Sequence, residues 1–432
     1  MRVILFLIFI SSTFFVYGQE SNIMEYNEIR GNSSIKLVDS FSNGDLVLIG
    51  QNVPNNSEKQ NIFIIRTTAS GDVIWEKEFF SDRVLAVNDV LIDEQDNIIL
   101  AAEQYSLANR ESLFLLAMRS NGEELFSQHF NEANGEVEAY SITSVMGEGY
   151  MITGFCKIPT VLSDVFFKMV KEDQYLYLLK VNLSGEKIWS KYVNEEYFAS
   201  TGKKVIIDKQ LKTNIFSNNH KENKENTIRV LVSSNLSNLD EYQLVSDKDL
   251  ILTDVVYDGE YFYLTGNIVN RVNDKKDIFD IFLVRINNEY KIDYSKIIRS
   301  AYNDWISGIY QTGEELILYG EVKKGNDKSI FLLELSKQGA LRSYKTYNND
   351  DYRDISLADG LMTHNSFIGA GSCWNKKKSA MLITSEHLKG SDSDFEFLDI
   401  NLSVKKTKNK EKWINLSKKE IIEPVRLKEW KY

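Results

Sequence analysis

This chain of 432 residues has few of the residues that break or cross-link a fold, since it contains three prolines and two cysteines. So few cysteines exclude a disulfide scaffold. Cys156 and Cys373 fall at equivalent positions of two distant repeats, so we expect two buried free thiols rather than a bridge. Beyond the N-terminal segment no apolar run is long enough to cross a bilayer as a helix.

Catalytic signatures are also lacking. The four histidines are His129, His220, His364 and His387. They stand singly, without the paired spacing that metal sites favour, and His129 fits a structural place in a strand. No Gly-rich phosphate loop and no nucleophile elbow occurs. We therefore predict no catalytic residues and no metal or cofactor that is built into a sequence motif.

The N-terminus resembles a targeting segment rather than part of a fold. Residues 1–18 carry one charge at Arg2, an apolar run from Val3 to Ile10, and small or aromatic residues up to Gly18. This order is typical of a cleavable secretory signal, and no cysteine lies near the cut to carry a lipid. We expect a secreted or periplasmic protein, with association with the outer surface as a further option.

Charge is distributed unevenly along the chain. The net charge is −11, but residues 402–432 hold ten Lys or Arg against four Glu, so the tail is +6 and the rest is −17. An acidic body disfavours nucleic acid as a partner. The tail repeats "INLSVKK" as "INLSKK" and contains Trp413 and Trp430. We expect either a flexible end packed loosely beneath the body or a contact and export segment.

A repeat of about fifty residues runs through the chain. Each unit ends in a turn, a short apolar strand and an aromatic residue. These aromatics are Trp75, Phe126, Trp189, Tyr242, Tyr294 and Tyr344, separated by 51, 63, 53, 52 and 50 residues. A fixed period of this size is typical of a propeller or a solenoid. Inner strand sets begin near residues 33, 84, 139, 202, 251, 306 and 354, which predicts seven blades.

Four strand segments of four to eight residues fill each unit, as in the antiparallel meander of one propeller blade. Third strands such as "SLFLLAMR" and "SIFLLELS" are apolar on both faces, as a strand packed between two neighbouring blades requires. Glycines recur inside the second strands at Gly50, Gly154, Gly266 and Gly320, where they predict a bulge or a close backbone approach. Others recur in the turns between third and fourth strands, at Gly71, Gly122, Gly185 and Gly339, where tight hairpins need positive φ.

These patterns predict an all-β, seven-bladed propeller of four-stranded antiparallel blades. Its domains would be a signal peptide at 1–18, the propeller at 19–400 and a basic tail at 401–432. Tyr26 lies 49 residues before Trp75, in phase with the series, so "IMEYNEI" is our preferred closing strand for the last blade. The alternative is "FEFLDI" at 395–400.

The segments "SGDVIW" and "SGEKIW" resemble the repeats of secreted bacterial β-propellers of the quinoprotein-like type. The resemblance covers roughly residues 22–400. It implies the propeller fold. For quinoprotein dehydrogenases it would also imply a quinone, a calcium site and often a vicinal cysteine pair, but this chain has no adjacent cysteines. A fold of this kind hosts many functions, so the resemblance implies no activity.

Loop lengths indicate where a ligand would bind. First-to-second and third-to-fourth connections are short, whereas second-to-third and blade-to-blade connections vary and emerge on the same face. We name this the variable face and the other the tight-turn face. The candidate ligand-binding residues on the variable face are Glu195, Glu196, Tyr197, Tyr302, Asp304, Trp305, Asp350, Asp351 and Tyr352. Aromatics beside carboxylates suit a sugar, and the carboxylates could hold calcium. Solvated loop charges and rim aromatics are the alternative interpretation.

One insertion, "KIPTVLSDVFFKMVKEDQY", accounts for the step of 63 residues. Its apolar residues are Val161, Leu162, Val165, Phe166, Met169 and Val170. Their spacing predicts a short amphipathic helix on the variable face, packed on its own blade or on a partner.

The preferred function is a non-enzymatic exported module that recognises a glycan, peptide or protein at the variable face. One alternative is a glycan hydrolase or lyase, which would need two convergent carboxylates about 5 to 10 Å apart. Another is a structural component of a cell-envelope assembly that uses the tail as its contact. The sequence leaves the oligomeric state open.

Overall fold

The computed structural model describes most of the chain in short ranges. The described residues are 22–26, 32–54, 60–80, 84–106, 109–132, 136–163, 168–194, 199–220, 226–234, 239–271, 277–300, 302–324, 327–347, 354–363, 366–375, 377–386, 396–399, 402–407, 412–415, 418–419 and 426–429. Their regular elements are all strands. Across these ranges, no helix has the length and apolar character needed to cross a membrane.

Twenty-seven consecutive strands from β2 to β28 form seven antiparallel meanders, numbered here in chain order. Meanders 1 and 2 contain β2 (Asn32–Ser40), β3 (Leu46–Val53), β4 (Asn61–Thr67), β5 (Val73–Phe80), then β6 (Val84–Ile92), β7 (Ile98–Ser106), β8 (Asn109–Met118) and β9 (Glu124–Glu132). Meanders 3 and 4 contain β10 (Glu136–Val145), β11 (Gly149–Ser163), β12 (Lys168–Val181), β13 (Lys187–Asn194), then β14 (Ala199–Ile207), β15 (Thr213–His220), β16 (Thr227–Ser233) and β17 (Asp240–Val245).

The remaining meanders follow the same order of strands. Meanders 5 and 6 contain β18 (Asp249–Tyr257), β19 (Tyr261–Arg271), β20 (Asp277–Asn287), β21 (Ile292–Arg299), then β22 (Asn303–Thr312), β23 (Glu315–Lys324), β24 (Asp327–Ser336) and β25 (Leu341–Tyr347). Meander 7 contains β26 (Asp354–Met362), β27 (Ser366–Asn375) and β28 (Lys377–Glu386). The terminal strands are β1 (Asn22–Tyr26), β29 (Glu396–Asp399), β30 (Ser403–Thr407), β31 (Lys412–Asn415), β32 (Lys418–Lys419) and β33 (Arg426–Glu429).

The prediction of an all-β propeller arrangement of antiparallel sheets is confirmed. The sheets are not seven separate four-stranded units, however, because hydrogen bonding groups the described strands into six sheets, and two of these have four strands. One parallel pair, Gln174 with Ala199, joins meanders 3 and 4 into a ten-stranded sheet. In addition, strands from the C-terminal tail extend several of the others.

Apolar packing between neighbouring meanders holds the arrangement together. The described residues form seven buried clusters, and each cluster joins two meanders: 1 with 2, 2 with 3, and so on to 7 with 1. In the last of these, Ile35 and Phe63 of meander 1 pack with Ile368 of meander 7. The contacts therefore run in a closed cycle.

The third strands show why both of their faces are apolar. In β8, Leu113 and Leu115 belong to the cluster shared with meander 3, while Phe114 and Leu116 belong to the cluster shared with meander 1. Alternate residues of one strand thus face opposite neighbours, as the period of two requires. The repeating aromatics lie in or against the same clusters. Cys156 and Cys373 are buried free thiols, as predicted.

Hairpin glycines serve both the turn and the neighbouring meander. Gly185 has a φ of +77°, which favours glycine, and a Cβ there would lie 2.4 Å from the ring of Phe126 in the preceding meander. Gly339 has a φ of +75° and would meet Tyr294 in the same way at 3.0 Å. The two recurring features of the sequence, turn glycine and strand aromatic, therefore contact each other across the blade junction.

The glycines inside the second strands lie opposite β-bulges in the inner strands. The inner strand is the first strand of each meander, and the outer strand is the fourth. A Cβ on Gly154 would lie 1.9 Å from the carbonyl oxygen of Glu138, next to the register shift between Ala139 and Ser141. Gly320 stands in the same relation to the carbonyl oxygen of Trp305, at 2.1 Å. The prediction that these glycines mark bulges and close backbone approach is confirmed.

Both chain ends contribute strands to the outer edges of the meanders. β1 pairs antiparallel with β28, so the N-terminal segment supplies the fourth strand of meander 7, as the position of Tyr26 predicted. The alternative closing segment forms β29, which pairs with β21 of meander 5 instead.

The C-terminal segment from residue 396, which includes the tail, places its described strands along the outer edges instead of beneath the body. Its strands β29, β30, β31, β32 and β33 pair in turn with the outer strands of meanders 5, 4, 3, 2 and 1. Leu402 and Val404 pack against the cluster between meanders 4 and 5. We call residues 396–429 the C-terminal belt.

The predicted helix in the insertion of meander 3 is wrong. β11 has 15 residues and β12 has 14, and their pairing continues from Tyr150 with Val181 out to Ser163 with Lys168. The existing strand pair extends through the insertion because each added residue continues a ladder that is already nucleated, and Thr160 and Val161 are β-branched residues that favour strands. Val165 and Phe166 lie outside the described residues.

Candidate functional site

A cavity of about 570 Å³ opens between meanders 5, 6, 7 and 1. Its lining consists of Lys36, Thr253, Phe279, Asn303, Trp305, Ile306, Ser307, Glu321, Lys323, Lys328, Ser356, Leu357 and Ala358. Most of these belong to the first half of inner strands, the end of β23 or the start of β24. Those strand ends lead into the blade-to-blade and second-to-third connections, so the cavity lies on the variable face, at the mouth of the space between the inner strands.

Bulges aim four inner-strand residues at this cavity. The register of each inner strand skips one residue, and in meanders 1, 5, 6 and 7 that residue is Lys36, Thr253, Ser307 and Ala358. All four line the cavity. A bulge redirects its side chain out of the regular alternation, which explains why residues of four different meanders converge here.

Trp305 is the exposed aromatic of the site. The residue is 46% exposed, and it lines the cavity at the third position of β22. Phe279 of meander 5 packs edge-on against it, with ring centroids 5.0 Å apart and an interplanar angle of 75°. Phe279 thus supports the indole from one side and leaves it accessible to a ligand.

Asp304 and Tyr302, two of the predicted residues, are wholly or partly buried next to the cavity. Asp304 is fully buried, and its carboxylate accepts hydrogen bonds from the Ser300 amide and the Ser300 hydroxyl at 2.7 and 2.6 Å. Burial raises the pKa of Asp304 to about 6, although the bonds from Ser300 act in the opposite direction. Tyr302 is half-buried against the cluster between meanders 5 and 6. Asp304 therefore orders the connection before β22 and presents no carboxylate to the variable face.

The other six predicted residues lie outside the described residues. These are Glu195, Glu196, Tyr197, Asp350, Asp351 and Tyr352. Among the nine candidates, the structure thus places one, Trp305, in the cavity.

Glu321 is the one carboxylate in the described lining of the cavity, and both of its oxygens are engaged. Oε1 accepts hydrogen bonds from the Ser356 hydroxyl at 2.5 Å and the Leu357 amide at 3.2 Å, while Oε2 pairs with Lys328 Nζ at 3.2 Å. Glu321 therefore ties meander 6 to meander 7 beneath the cavity mouth.

Below the cavity, carboxylates bind the inner strands to each other. Asp359 Oδ2 accepts the Val38 amide at 3.0 Å, and Asp89 Oδ2 accepts the Ile142 amide at 2.8 Å, each from the next meander. Asp39 and Asp254 accept the amides of Ile92 and Ile309 in the same manner. These bonds turn the carboxylates toward backbone amides between the strands.

Burial controls the ionisation of this inner group. It raises the pKa of Asp89 to about 7 and of Asp39 to about 6, against the opposing effect of their amide donors. Lys204 Nζ lies 3.1 Å from Asp254 Oδ1, and that carboxylate raises the pKa of the lysine above its ordinary value. A lysine held charged among several acids stabilises the carboxylates that remain ionised.

Metal binding finds no support in the described part of the chain, where no group of three or more His, Cys, Asp or Glu side chains is placed to hold an ion. His129 lies in β9 with its ring centroid 4.8 Å from that of Phe114, a structural position as expected. His220 Nδ1 lies 3.1 Å from Asn226 Oδ1. His364 and His387 lie outside the described residues.

Sequence reasoning missed the cationic part of the site, Lys36, Lys323 and Lys328. A signal existed for Lys36, because Gly50 pairs with Ile35 and so marks the bulge that follows it. Lys323 and Lys328 carry no such signal, since they flank an ordinary strand connection and become neighbours of Lys36 through the closure of the ring.

No protein-family model and no curated protein matches this chain. Several solved structures show a weak likeness to this chain. Drosophila Plexin A, solved in complex with Semaphorin 1b, is 7% identical over 83% of this chain and 88% of its own, with a TM-score of 0.42. A mutant of Trypanosoma rangeli sialidase displaying trans-sialidase activity is 7% identical over 84% of this chain and 58% of its own, with a TM-score of 0.39.

A member of the DUF4221 family from Bacteroides vulgatus is 10% identical over 88% of this chain and 97% of its own, with a TM-score of 0.37. Likenesses of this size carry no information about the ligand of this chain. The resemblance to quinoprotein-like repeats stays a prediction.

Proposed function

We propose that this chain is an exported, seven-bladed β-propeller, closed by its N-terminal strand, that binds a glycan at the variable face without catalysing a reaction. The seven inter-meander clusters and the pairing of β1 with β28 support the blade number and the closure. The apolar run of residues 3–10 supports export.

The cavity at the mouth of the inner strands is the observation that carries the proposal. Its volume of about 570 Å³ is within the range of roughly 300–1,000 Å³ that small-molecule sites occupy. An exposed tryptophan next to serine, asparagine and lysine side chains provides a stacking surface together with hydrogen-bond donors. Sugar rings need this combination because they have apolar faces and hydroxyl rims.

Thermal unfolding of the purified chain with a panel of oligosaccharides and short peptides tests the proposal. A ligand present at about one hundred times its Kd stabilises the folded state by roughly 2.7 kcal/mol, a shift that is readily measured. We expect an oligosaccharide to raise the Tm of the wild-type chain and of Leu183→Ala, which alters an exposed residue on the tight-turn face, but not that of Trp305→Ala.

Three results would change this proposal. An oligosaccharide that stabilises Trp305→Ala as much as the wild type would place its site elsewhere. If only peptides bind, the ligand is a peptide and not a glycan. New products in the mass spectrum of a bound oligosaccharide would support the hydrolase or lyase alternative. The proposed site requires no calcium, so EDTA should leave the shift unchanged.

A further inference from the structure

The charge of the cavity differs in sign from the charge of the chain. Its described lining contains three lysines, Lys36, Lys323 and Lys328, and one glutamate, Glu321, which is a net charge of +2. The whole chain has a net charge of −11. A cationic recess in an acidic protein attracts anions locally while the remaining surface repels them.

The one carboxylate of this lining does not compete for a ligand. Glu321 is engaged by Ser356, Leu357 and Lys328, so its lone pairs face the junction between meanders 6 and 7. Lys323, by contrast, is exposed at the end of β23, where its ammonium group can reach a ligand in the cavity. Lys323 is therefore more accessible from the cavity than the acid.

The carboxylates beneath the cavity are also directed elsewhere. Asp359 accepts the amides of Val38 and Gly360, and Asp254 accepts the amides of Val255 and Ile309. Carboxylates that accept two backbone amides and lie near Lys204 contribute less negative potential above them than free carboxylates would. The inner carboxylates therefore weaken the positive potential of the mouth less than free carboxylates would.

The indole of Trp305 provides an apolar surface beside the cationic lining. Supported edge-on by Phe279, it forms one wall of the cavity and offers apolar surface for a ring. Lysine is a point charge on a flexible stem, suited to a carboxylate or sulfate whose position varies. The site thus combines a surface for a ring with cations for an acidic substituent.

We infer that the ligand of this cavity is an acidic saccharide, one that carries a carboxylate or a sulfate on its ring. This inference rests on the proposed function and narrows it to one chemical class. The acidic group lies against Lys323, and the sugar ring lies against Trp305.

Matched pairs of oligosaccharides test the inference by isothermal titration calorimetry. Each pair has the same ring and linkage with and without the charge: trigalacturonic acid and its methyl ester, a glucuronic acid disaccharide and its methyl ester, and a sulfated galactose oligomer and its desulfated form. We expect the acidic member of at least one pair to bind tenfold or more tightly than its neutral partner. Its affinity should fall as salt is raised from about 50 to 200 mM, since screening weakens exposed charge pairs.

Two variants locate the charge. Lys323→Gln removes the charge and keeps a polar side chain one atom shorter. It should weaken binding of the acidic member about three- to tenfold while leaving the neutral member unchanged. Lys405→Gln, at an exposed position in the belt, is the matched control and should bind like the wild type.

The outcomes separate the two proposals. If the neutral members bind as tightly as the acidic ones, or if Lys323→Gln has no effect on the acidic member, the inference is overturned while the glycan-binding function stands. If no member of any pair binds, both are overturned.

Discussion

Meanders 1 to 5 carry a strand of the C-terminal belt on their outer edges, whereas the described residues place no belt strand on meanders 6 and 7. The cavity has the opposite distribution. Most of its lining comes from meanders 6 and 7, with single inner-strand residues from meanders 1 and 5 and Phe279 from β20. Meanders 1 to 5, which carry the belt, are the belted part of the ring, and meanders 6 and 7, which supply most of the cavity lining, are the cavity part. The two parts therefore overlap little.

This separation suggests a division of roles between the rim and the centre. An outer strand has unpaired amide and carbonyl groups that invite pairing with another chain, and a fifth strand covers them. The belt pairs with the last residues of each outer strand, such as Lys77–Phe80 in β5 and Lys296–Arg299 in β21. Edge protection thus operates at the perimeter, while the proposed ligand site uses bulged residues near the axis.

Removal of the belt should have the largest effect. A chain that ends at residue 395 loses the strands paired with five outer edges and the packing of Leu402 and Val404. We expect its free energy of unfolding to fall by about 3 kcal/mol, since each lost backbone hydrogen bond of the five ladders contributes about 0.5–1.5 kcal/mol and the partly buried Leu402 and Val404 add to the loss. Thermal unfolding and size-exclusion chromatography measure the loss and the self-association of the exposed edges.

The same truncated chain tests whether the rim and the centre are separate. At temperatures where it remains folded, it should bind the ligand of the wild type with unchanged affinity. Lost binding in a folded truncated chain would show that the belt shapes the cavity. Unchanged stability together with a monomeric state would contradict the role of the belt.

Two glycine substitutions of equal geometry compare the two parts directly. In Gly154→Ala the new Cβ would lie 1.9 Å from the Glu138 carbonyl oxygen in meander 3, and in Gly320→Ala it would lie 2.1 Å from that of Trp305 in meander 6. Backbone must shift in both variants, and we expect each to lose about 1–3 kcal/mol of stability. Only Gly320→Ala should also weaken ligand binding, because the displaced backbone carries the indole.

Calorimetry of both variants at a temperature where each is fully folded provides the measurement. Gly147→Ala is the control, since nothing lies within 4 Å of its new Cβ and the change tests the positive φ of +68° alone. Equal loss of binding in Gly154→Ala and Gly320→Ala would show that strain spreads around the ring.

The inner carboxylates predict a pH dependence of smaller size. Burial raises the pKa of Asp89 to about 7 in the folded state, above its value in the unfolded chain. The folded state therefore holds the proton more tightly, and the stability that this group contributes is lost as pH rises from about 4 through 7. Asp89→Asn keeps an oxygen for one amide donor, removes the titration, and should flatten the curve of unfolding free energy against pH.

Asp359→Asn is the matching variant in the cavity part. Burial also raises the pKa of Asp359, so the pH curve should flatten in the same direction. Because Asp359 follows Ala358, which lines the cavity, this variant should also alter ligand affinity, whereas Asp89→Asn should not. Chemical denaturation at several pH values tests both, and curves parallel to that of the wild type would contradict the assignment.

The fold was largely predictable because its determinants are local and repeated. Turn glycines such as Gly185, strand glycines such as Gly154, and third strands that are apolar on both faces recur in most units, and each has one physical interpretation. The closing role of β1 followed from the phase of Tyr26. The insertion in meander 3 was misread because its apolar spacing suits a helix, while its neighbours extend a strand ladder.

The site was less predictable because it depends on closure. Lys36 and Ala358 are far apart in sequence and line one cavity only because meander 7 packs on meander 1. The sequence suggested that Asp304 is an exposed acid in a loop. In the structure it is buried, and its carboxylate accepts two hydrogen bonds from Ser300. Trp305 was found because it stands among acidic and aromatic residues in "SAYNDW", which the spacing of the strands assigns to a blade-to-blade connection.

The smallest expected effect comes from the charge of the belt. Lys406 Nζ lies 2.8 Å from Asp240 Oδ1, but the two side chains are 55% and 57% exposed, and such surface pairs contribute about 0–1 kcal/mol. Lys406→Gln should therefore lower stability by less than about 0.5 kcal/mol. Val404→Ser, two residues away and packed against the cluster between meanders 4 and 5, should cost more.

Thermal unfolding of both variants at low and high salt decides between two ways of holding the belt. Lys406→Gln could destabilise the protein more than Val404→Ser, and high salt could destabilise the wild type as much as Lys406→Gln does. Both results together would show that attraction between the basic tail and the acidic body is the main force. The opposite order is expected here, because backbone pairing and apolar contact persist in salt, whereas exposed charge pairs are screened within about 10 Å at 0.1 M. The belt would then remain in place at the ionic strengths at which the acidic saccharide is released from the cavity.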